Sequence, residues 1–323
     1  MTSTAVTEAA PSVQPAPPAT STPAPEPTAA PAGVLPIVDM HFHPDGSWDL
    51  DALVALMDEL GVQRAAGGSG DPTAIALDFA AAYPERFVPF AGQDGIRALN
   101  LLEGAESWNL ETAAIQTYVA RLETELQSGC WAGIGEVFVN TLGSHVSGGF
   151  SVPADSVLMR RLLDLSAQYA APLSVHMDAA SASVAELRRL LDSNPDGTLI
   201  WAHAGWYAEP QLLREMLQAH LNLYVELSFR DELRSFFAVT SRGQLRDDWR
   251  ALLEEMPQRF VLGTDLNPPP TSEKYRELIV FWRSVLEQLT PATAAMLANE
   301  NATRIVGGSM VADAEACASM VGG

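Results

Sequence analysis

The sequence predicts an α/β chain folded as a (β/α)8 barrel, and three observations carry that prediction. From Val34 onward, short β-branched and apolar runs alternate with amphipathic helical stretches, the rhythm of a parallel sheet. Eight such pairs can be counted, and a span of about 270 residues is a usual size for a barrel of eight units. No Gly-x-Gly-x-x-Gly turn follows the first strand and no Gly-Lys-Ser/Thr loop occurs, so an open nucleotide-binding sheet has little support.

Taken in order, strands are expected at 37–43, 62–66, 87–92, 132–139, 172–177, 198–203, 223–228 and 260–265. Asp49 can cap the first helix, which runs to Leu60 with Leu53, Leu56, Met57 and Leu60 at helical spacing and Gly61 as its stop. Asp71-Pro72 suits the start of the second helix. The connection 93–109 is long enough to serve as a lid or substrate loop. Helices follow at 110–128, 156–169, 181–191, 210–220 and 245–255, and two more, 272–289 and 291–305, close the chain. Residues 1–33 form an Ala/Pro-rich leader whose only charges are Glu8 and Glu26, expected to be disordered because it has too little apolar surface to offset its ordering entropy. The folded barrel is then 34–307, and 308–323 is a flexible tail.

The 323 residues carry a formal net charge of −21, with 47% hydrophobic residues. That acidity argues against a nucleic-acid binder that tracks phosphates through a basic groove, and against adhesion to anionic membrane surfaces. A soluble protein acting on a small molecule fits, with homo-oligomerisation left open. The two cysteines, Cys130 and Cys317, make no disulfide framework and no cysteine-based metal site, which suits a reducing compartment. The N-terminus has neither a basic segment nor an apolar core of a secretory signal, so a cytoplasmic location is expected.

Polar residues gather at the C-terminal ends of the expected strands. The first strand ends in His41 and His43, which alternation places on one face, opposite Val38, Met40 and Phe42. The fourth supplies Glu136, the fifth His176, the sixth His203 and the eighth Asp265. Their strands alternate these groups with apolar residues such as Leu173 and Val175, Ile200 and Ala202, and Phe260 and Leu262. Four of the six histidines therefore fall at the end of a barrel where chemistry sits. Neutral imidazoles and carboxylates are the donors that zinc and similar divalent ions accept.

This pattern resembles the amidohydrolase superfamily of metal-dependent barrel enzymes over about 34–307. His203-Ala204-Gly205-Trp206, Gly263-Thr264-Asp265 and Asn301-Ala302-Thr303-Arg304-Ile305-Val306-Gly307 are similar to its amidohydrolase-related branch. The resemblance implies that His41, His43, His176, His203 and Asp265 bind metal, with Asp265 as general base and acid. Gly133-Ile134-Gly135-Glu136-Val137 is also similar to the fourth-strand motif of TatD-type deoxyribonucleases, in which the glutamate bridges two metals. The implied cofactor is one or two divalent ions, with zinc the first expectation and manganese, iron or magnesium as alternatives. A bound ion of this kind lowers the pKa of water to about 7 and polarises the substrate. The implied reaction is hydrolysis of a small amide, ester, lactone or related bond. Alternatives are a non-hydrolytic decarboxylase and a TatD-like nuclease.

Substrate contacts are expected from His145 in the loop after the fourth strand, from Arg230, which could clamp a carboxylate or phosphate, and from Trp206 in an apolar wall with Tyr207 and Trp108. Tyr224, Glu226, Ser228 and Arg230 share one parity on the seventh strand. Glu226 reads there as a deeper structural group in need of a partner.

Overall fold

The computed structural model describes residues 34–68, 74–96, 99, 104–141, 150–266, 271–307 and 317. The leader, most of the tail, the 142–149 loop with His145 and the expected helix start at Asp71-Pro72 lie outside them. Eight parallel strands occur in chain order: β1 (Ile37–Asp39), β2 (Val62–Gly67), β3 (Phe87–Ala91), β4 (Gly133–Thr141), β5 (Leu173–Met177), β6 (Leu199–Trp201), β7 (Leu223–Glu226) and β8 (Phe260–Val261). Each pairs with its sequence neighbour. The sheet curls far enough that its first and last strands meet beyond their regular ends. Met40 N–H donates to the Leu262 carbonyl at 2.8 Å, and Asp265 N–H donates to the His41 carbonyl at 2.7 Å.

The helices surround this sheet: α1 (Leu50–Leu60), α2 (Ala74–Ala82), α3 (Ala113–Gln127), α4 (Val157–Tyr169), α5 (Ser181–Ser193), α6 (Pro210–Ala219), α7 (Asp247–Glu255) and α8 (Ser272–Leu286). Two short helices, α9 (Pro291–Ala295) and α10 (Asn301–Ile305), are joined by a π turn at Met296–Glu300. Their starts have ordinary chemical causes. Asp49 accepts from Ala52 N–H, Thr112 from Ile115 N–H, Ser156 from Met159 N–H and Thr271 from Lys274 N–H. Gly61 stops α1 at φ 67°, as its sequence position suggests. Among the described residues no helix is long and apolar enough to cross a membrane.

Two apolar regions fill the molecule. The larger lies between sheet and helices and takes Phe87, Leu173, Val175, Leu199, Trp201, Leu223, Val225 and Phe260 from the strands. The smaller collects the alternate residues Val38, Val88, Phe90, Ile200 and Val261, together with Met40 and with Ala302 and Val306 near the chain end. This corrects two expectations of alternation. Met40 and Phe42 do not share a face, because Met40 joins the smaller cluster and Phe42 the larger. Ile200 likewise belongs to the smaller cluster rather than outside. The cause is the same in both cases: β1 ends at Asp39 and β6 at Trp201, so the histidines follow in irregular backbone where period two no longer applies.

The cysteines require a further correction. Cys130, just before β4, and Cys317 form a disulfide with their Cα atoms 5.6 Å apart and 187 residues apart in sequence. A separation of that size is invisible to spacing rules, which is why composition argued the other way. Both are buried, at 3% and 4% exposure.

Candidate metal centre

The chain just after β1 carries His41 and His43. Asp39 holds this segment against the end of β8 by accepting from Thr264 N–H at 2.8 Å, the Thr264 hydroxyl at 2.7 Å and His41 N–H at 3.2 Å. On β4 the register slips between Ile134 and Val137, and Glu136 sits at the slip. Gly135 makes this possible. Its φ is 105°, and a Cβ there would lie 2.5 Å from the Ser174 carbonyl oxygen. His176 comes from regular β5. His203 comes from a kinked turn, Ala202–Gly205, that follows β6, with His203 and Ala204 in left-handed conformation.

Positive φ marks this end of the sheet. His203 (57°), Ala204 (47°), Trp206 (53°), Phe229 (57°) and Asp265 (39°) all lie in the left-handed region that costs a non-glycine residue free energy. Arginines hold the carbonyls of these turns. Arg230, 2% exposed, donates to the carbonyls of His203 (2.9 Å), Ala204 (2.6 Å), Ala208 (2.7 Å) and Phe237 (2.9 Å). Four of its five N–H donors are thereby committed to backbone, so a substrate clamp is not what this geometry offers. Strand parity pointed to the wrong role because φ of Phe229 turns the chain one residue before Arg230. Arg234 donates to the Asp265 carbonyl at 2.9 Å and pairs with Asp231 at 2.7 Å.

The candidate ligands converge. His41 Nε2 lies 3.1 Å from His43 Nε2, and His203 Nε2 lies 2.9 Å from His176 Nδ1. Glu136 stands between the two pairs. Its Oε1 is 3.1 Å from His176 Nδ1 and 3.1 Å from His203 Nε2, while its Oε2 is 3.4 Å from His41 Nε2 and 3.6 Å from His43 Nε2. Asp265 also faces both pairs, with Oδ1 3.2 Å from His43 Nε2 and Oδ2 3.8 Å from His203 Nε2. All six groups are buried apart from His43, which is 15% exposed. His41, His43 and Asp265 form one group with metal-ligand spacing, Glu136, His176 and His203 a second, and His41, His203 and Glu226 a third.

The chemistry of this donor set asks for a cation. His43 Nδ1 lies 3.0 Å from the Gly68 carbonyl, which can only accept, so Nδ1 carries the proton. A neutral His43 then points the Nε2 lone pair at His41 and at two carboxylates. Burial disfavours the charged imidazole, but Asp265 and Glu136 outweigh it and raise His43 to about 10. His41 is raised well above its ordinary value against the same burial, by Asp265, Glu136 and Glu226. Burial pushes the carboxyls of Glu136 and Asp265 upward, yet the surrounding histidines hold both below the carboxylate range. His203 is lowered, by burial first. Lone pairs and carboxylates at 3–4 Å repel unless positive charge sits among them. The residues present therefore fit a divalent metal.

Aromatic rings stand beside the histidines. Phe138 stacks on His176 at 4.5 Å between centroids. Trp206 and Phe229 lie 4.7 Å apart and face the His203 ring edge-on at 5.8 and 5.4 Å. Trp206 thus stands beside the His203 ring. Trp108 is buried with 0% exposure, and Tyr207 packs on Phe237. Asp39, Phe229 and Arg234 escaped the sequence reading. Of these only Asp39 left a signal, a charge inside an otherwise apolar strand.

Fold and site together define a class: an α/β protein with a curled parallel sheet and a histidine–carboxylate centre at the C-terminal strand ends, as in metal-dependent enzymes. A family model described as Amidohydrolase matches residues 38–308, and the chain belongs to that family, which uses divalent metals. None of the curated proteins matches it. Among solved structures, an uncharacterized TIM-barrel protein from Bordetella bronchiseptica is similar at 15% identity, TM-score 0.58, with 85% of this chain and 99% of that one covered. A 2,6-dihydroxybenzoate decarboxylase from Rhizobium is similar at 14% identity, TM-score 0.54, covering 85% and 99%. A probable 2-pyrone-4,6-dicarboxylic acid hydrolase from Acinetobacter baumannii is similar at 13% identity, TM-score 0.52, covering 84% and 99%. At these identities the likeness concerns the fold.

Proposed function

We propose that this protein is a metal-dependent hydrolase of a small amide, ester or lactone, working at the centre formed by His41, His43, Glu136, His176, His203 and Asp265. The observation that supports it is the placement of Glu136, whose two oxygens each face a different histidine pair at 3.1–3.6 Å. A carboxylate so placed suits a bridge between two ions, a common arrangement in hydrolytic sites. Zinc matches imidazole and carboxylate donors, and manganese, iron or magnesium would use the same groups. When bound, the metal would lower the pKa of water and polarise the substrate's carbonyl oxygen.

The chain's own residues supply the rest. Asp265 takes the proton from the attacking water and passes it to the leaving group. Against burial, His41, His43 and His203 hold its carboxyl below the usual range, so it is ionised. Trp206 and Phe229 exclude water from the His203 side and offer rings to an apolar part of the substrate. Asp265→Asn is expected to lower turnover by about 10²–10⁴-fold while the protein stays folded. Turnover within a few-fold of the parent would remove the acid–base role. Metal analysis of the purified protein tests the bridge, since one equivalent per chain would rule it out.

Decarboxylation is the second reading. The Trp206–Phe229 pair beside His203 favours it, because two rings in that position suit a flat aromatic acid. A screen of the metal-loaded protein on amides, esters, lactones and aromatic acids, with carbon dioxide release measured in parallel, separates the two. A nuclease is not advanced, since a net charge of −21 offers no phosphate-tracking groove.

A further inference from the structure

We propose that Glu226 is a positioning residue that sets the tautomers of two histidines at once, His41 directly and His203 through Ser228. The proposal rests on the reading of this centre as a metal site, and it concerns which ring nitrogen each histidine presents. Glu226 ends β7 below the centre and is 1% exposed. Its Oε2 is surrounded by His41 Nδ1 at 2.9 Å, the Ser228 hydroxyl at 2.7 Å and His203 N–H at 3.2 Å. Its Oε1 accepts from Ser228 N–H. Two of these partners are backbone N–H groups, one on each oxygen, and they can only donate. Both oxygens therefore act as acceptors, and His41 must carry its proton on Nδ1.

Ser228 extends the same logic to the neighbouring strand end. A serine hydroxyl has one proton, and here it goes to Glu226 Oε2. The Ser228 oxygen lies 2.7 Å from His203 Nδ1 and can only accept there. His203 must donate from Nδ1, and its Nε2 lone pair then faces Glu136 and His176. One carboxylate thus turns two Nε2 atoms from different strands toward the same centre. Gly263 leaves the space for this, because a Cβ at that position would lie 2.3 Å from Glu226 Oε1 and 2.5 Å from His41 Cβ. Glu226 shares metal-ligand spacing with His41 and His203, but with the His41 ring and the Ser228 hydroxyl both donating to its Oε2 it acts through the histidines.

The test compares the full chain with Glu226→Gln and Ser228→Ala. Zinc affinity is measured by competition with a chromophoric chelator, and the ring nitrogens of His41 and His203 are followed by ¹⁵N–¹H spectra. Groups that orient metal-binding histidines typically contribute about 10–100-fold in affinity. Glu226→Gln is expected to weaken zinc binding by that amount and to shift the ring signals of both histidines. Ser228→Ala is expected to weaken binding about tenfold and to shift the His203 ring, 2.7 Å from the hydroxyl, more than the His41 ring, 3.5 Å from it. It removes a single oxygen, so it carries the test even if Glu226→Gln fails to fold. The proposal is overturned if Ser228→Ala leaves the His203 ring unchanged, or if a folded Glu226→Gln shifts His41 alone or binds zinc within twofold of the parent. If the parent itself takes up no zinc, the metal reading falls; the ring spectra of the metal-free proteins still decide the tautomer assignment by the same pattern of shifts.

Discussion

The two ends of the sheet solve the same problem, buried polar groups, with opposite chemistry. At the C-terminal end the buried groups are mostly imidazoles and carboxylates, crowded within 3–4 Å, with His203 and Asp265 at positive φ. At the N-terminal end they are backbone carbonyls capped by arginines. Arg86 donates to Val62 and Gln63, Arg259 to Leu217, His220 and Leu223, and Arg283 to Leu35, Leu60 and Gly61. A guanidinium offers five donors in a rigid fork, so it can satisfy several strand-start carbonyls at once. The first end concentrates charge that needs a partner from outside the chain; the second is self-sufficient. The difference teaches where a substitution removes activity and where it removes stability.

That contrast can be broken experimentally. The largest effect is expected from Glu136→Gln, which weakens the negative charge shared by both histidine pairs: metal content falls and turnover drops by at least about 10²-fold. A parent-like metal content would show that the charge of Glu136 is not needed. Next comes Arg259→Met at the opposite end, which strands buried carbonyls at about 1–3 kcal/mol each. Denaturant melts should show that loss, while activity per folded molecule stays at the parent level. A loss of activity without a loss of stability would erase the distinction between the ends.

Cys317→Ser sharpens the comparison, since it frees a covalent tie to the loop before β4. Its expected cost is about 2–4 kcal/mol, read as a lower melting temperature in the absence of reductant and no change with reductant present. An identical melting temperature for parent and variant without reductant would mean the pair is not bridged in solution. The smallest effect is expected for Phe236→Ser. Phe236 is fully exposed in the loop after β7, and its replacement should move stability by no more than about 0.5 kcal/mol. A larger change in a melt would reveal a role in self-association.

Much of the architecture was legible because it rests on local patterns. The helix starts at Asp49 and Ser156 and the stop at Gly61 are short-range hydrogen-bond chemistry written in adjacent residues. The six candidate ligands were also legible, since polar groups at the ends of apolar runs stand out. What failed was extrapolation past a strand's last residue. Arg230 was placed by counting twos from Tyr224, and one left-handed residue at Phe229 undid the count. Met40 and Ile200 were misassigned for the same reason. Glu226 was legible as a buried group needing a partner, but its partners, His41 and His203, lie 185 and 23 residues away.

By itself, then, the sequence determined the succession of strands and helices and the chemical identity of the groups gathered at one end of the sheet. Both follow from periodicity and residue type, which act over a few residues. Only the tertiary structure decided the rest: that Glu136 stands between two histidine pairs, that Arg230 holds a turn, and that Cys130 meets Cys317. These depend on distances between residues far apart in the chain. Such distances are set by how the sheet curls and where each strand stops, and no local pattern encodes them.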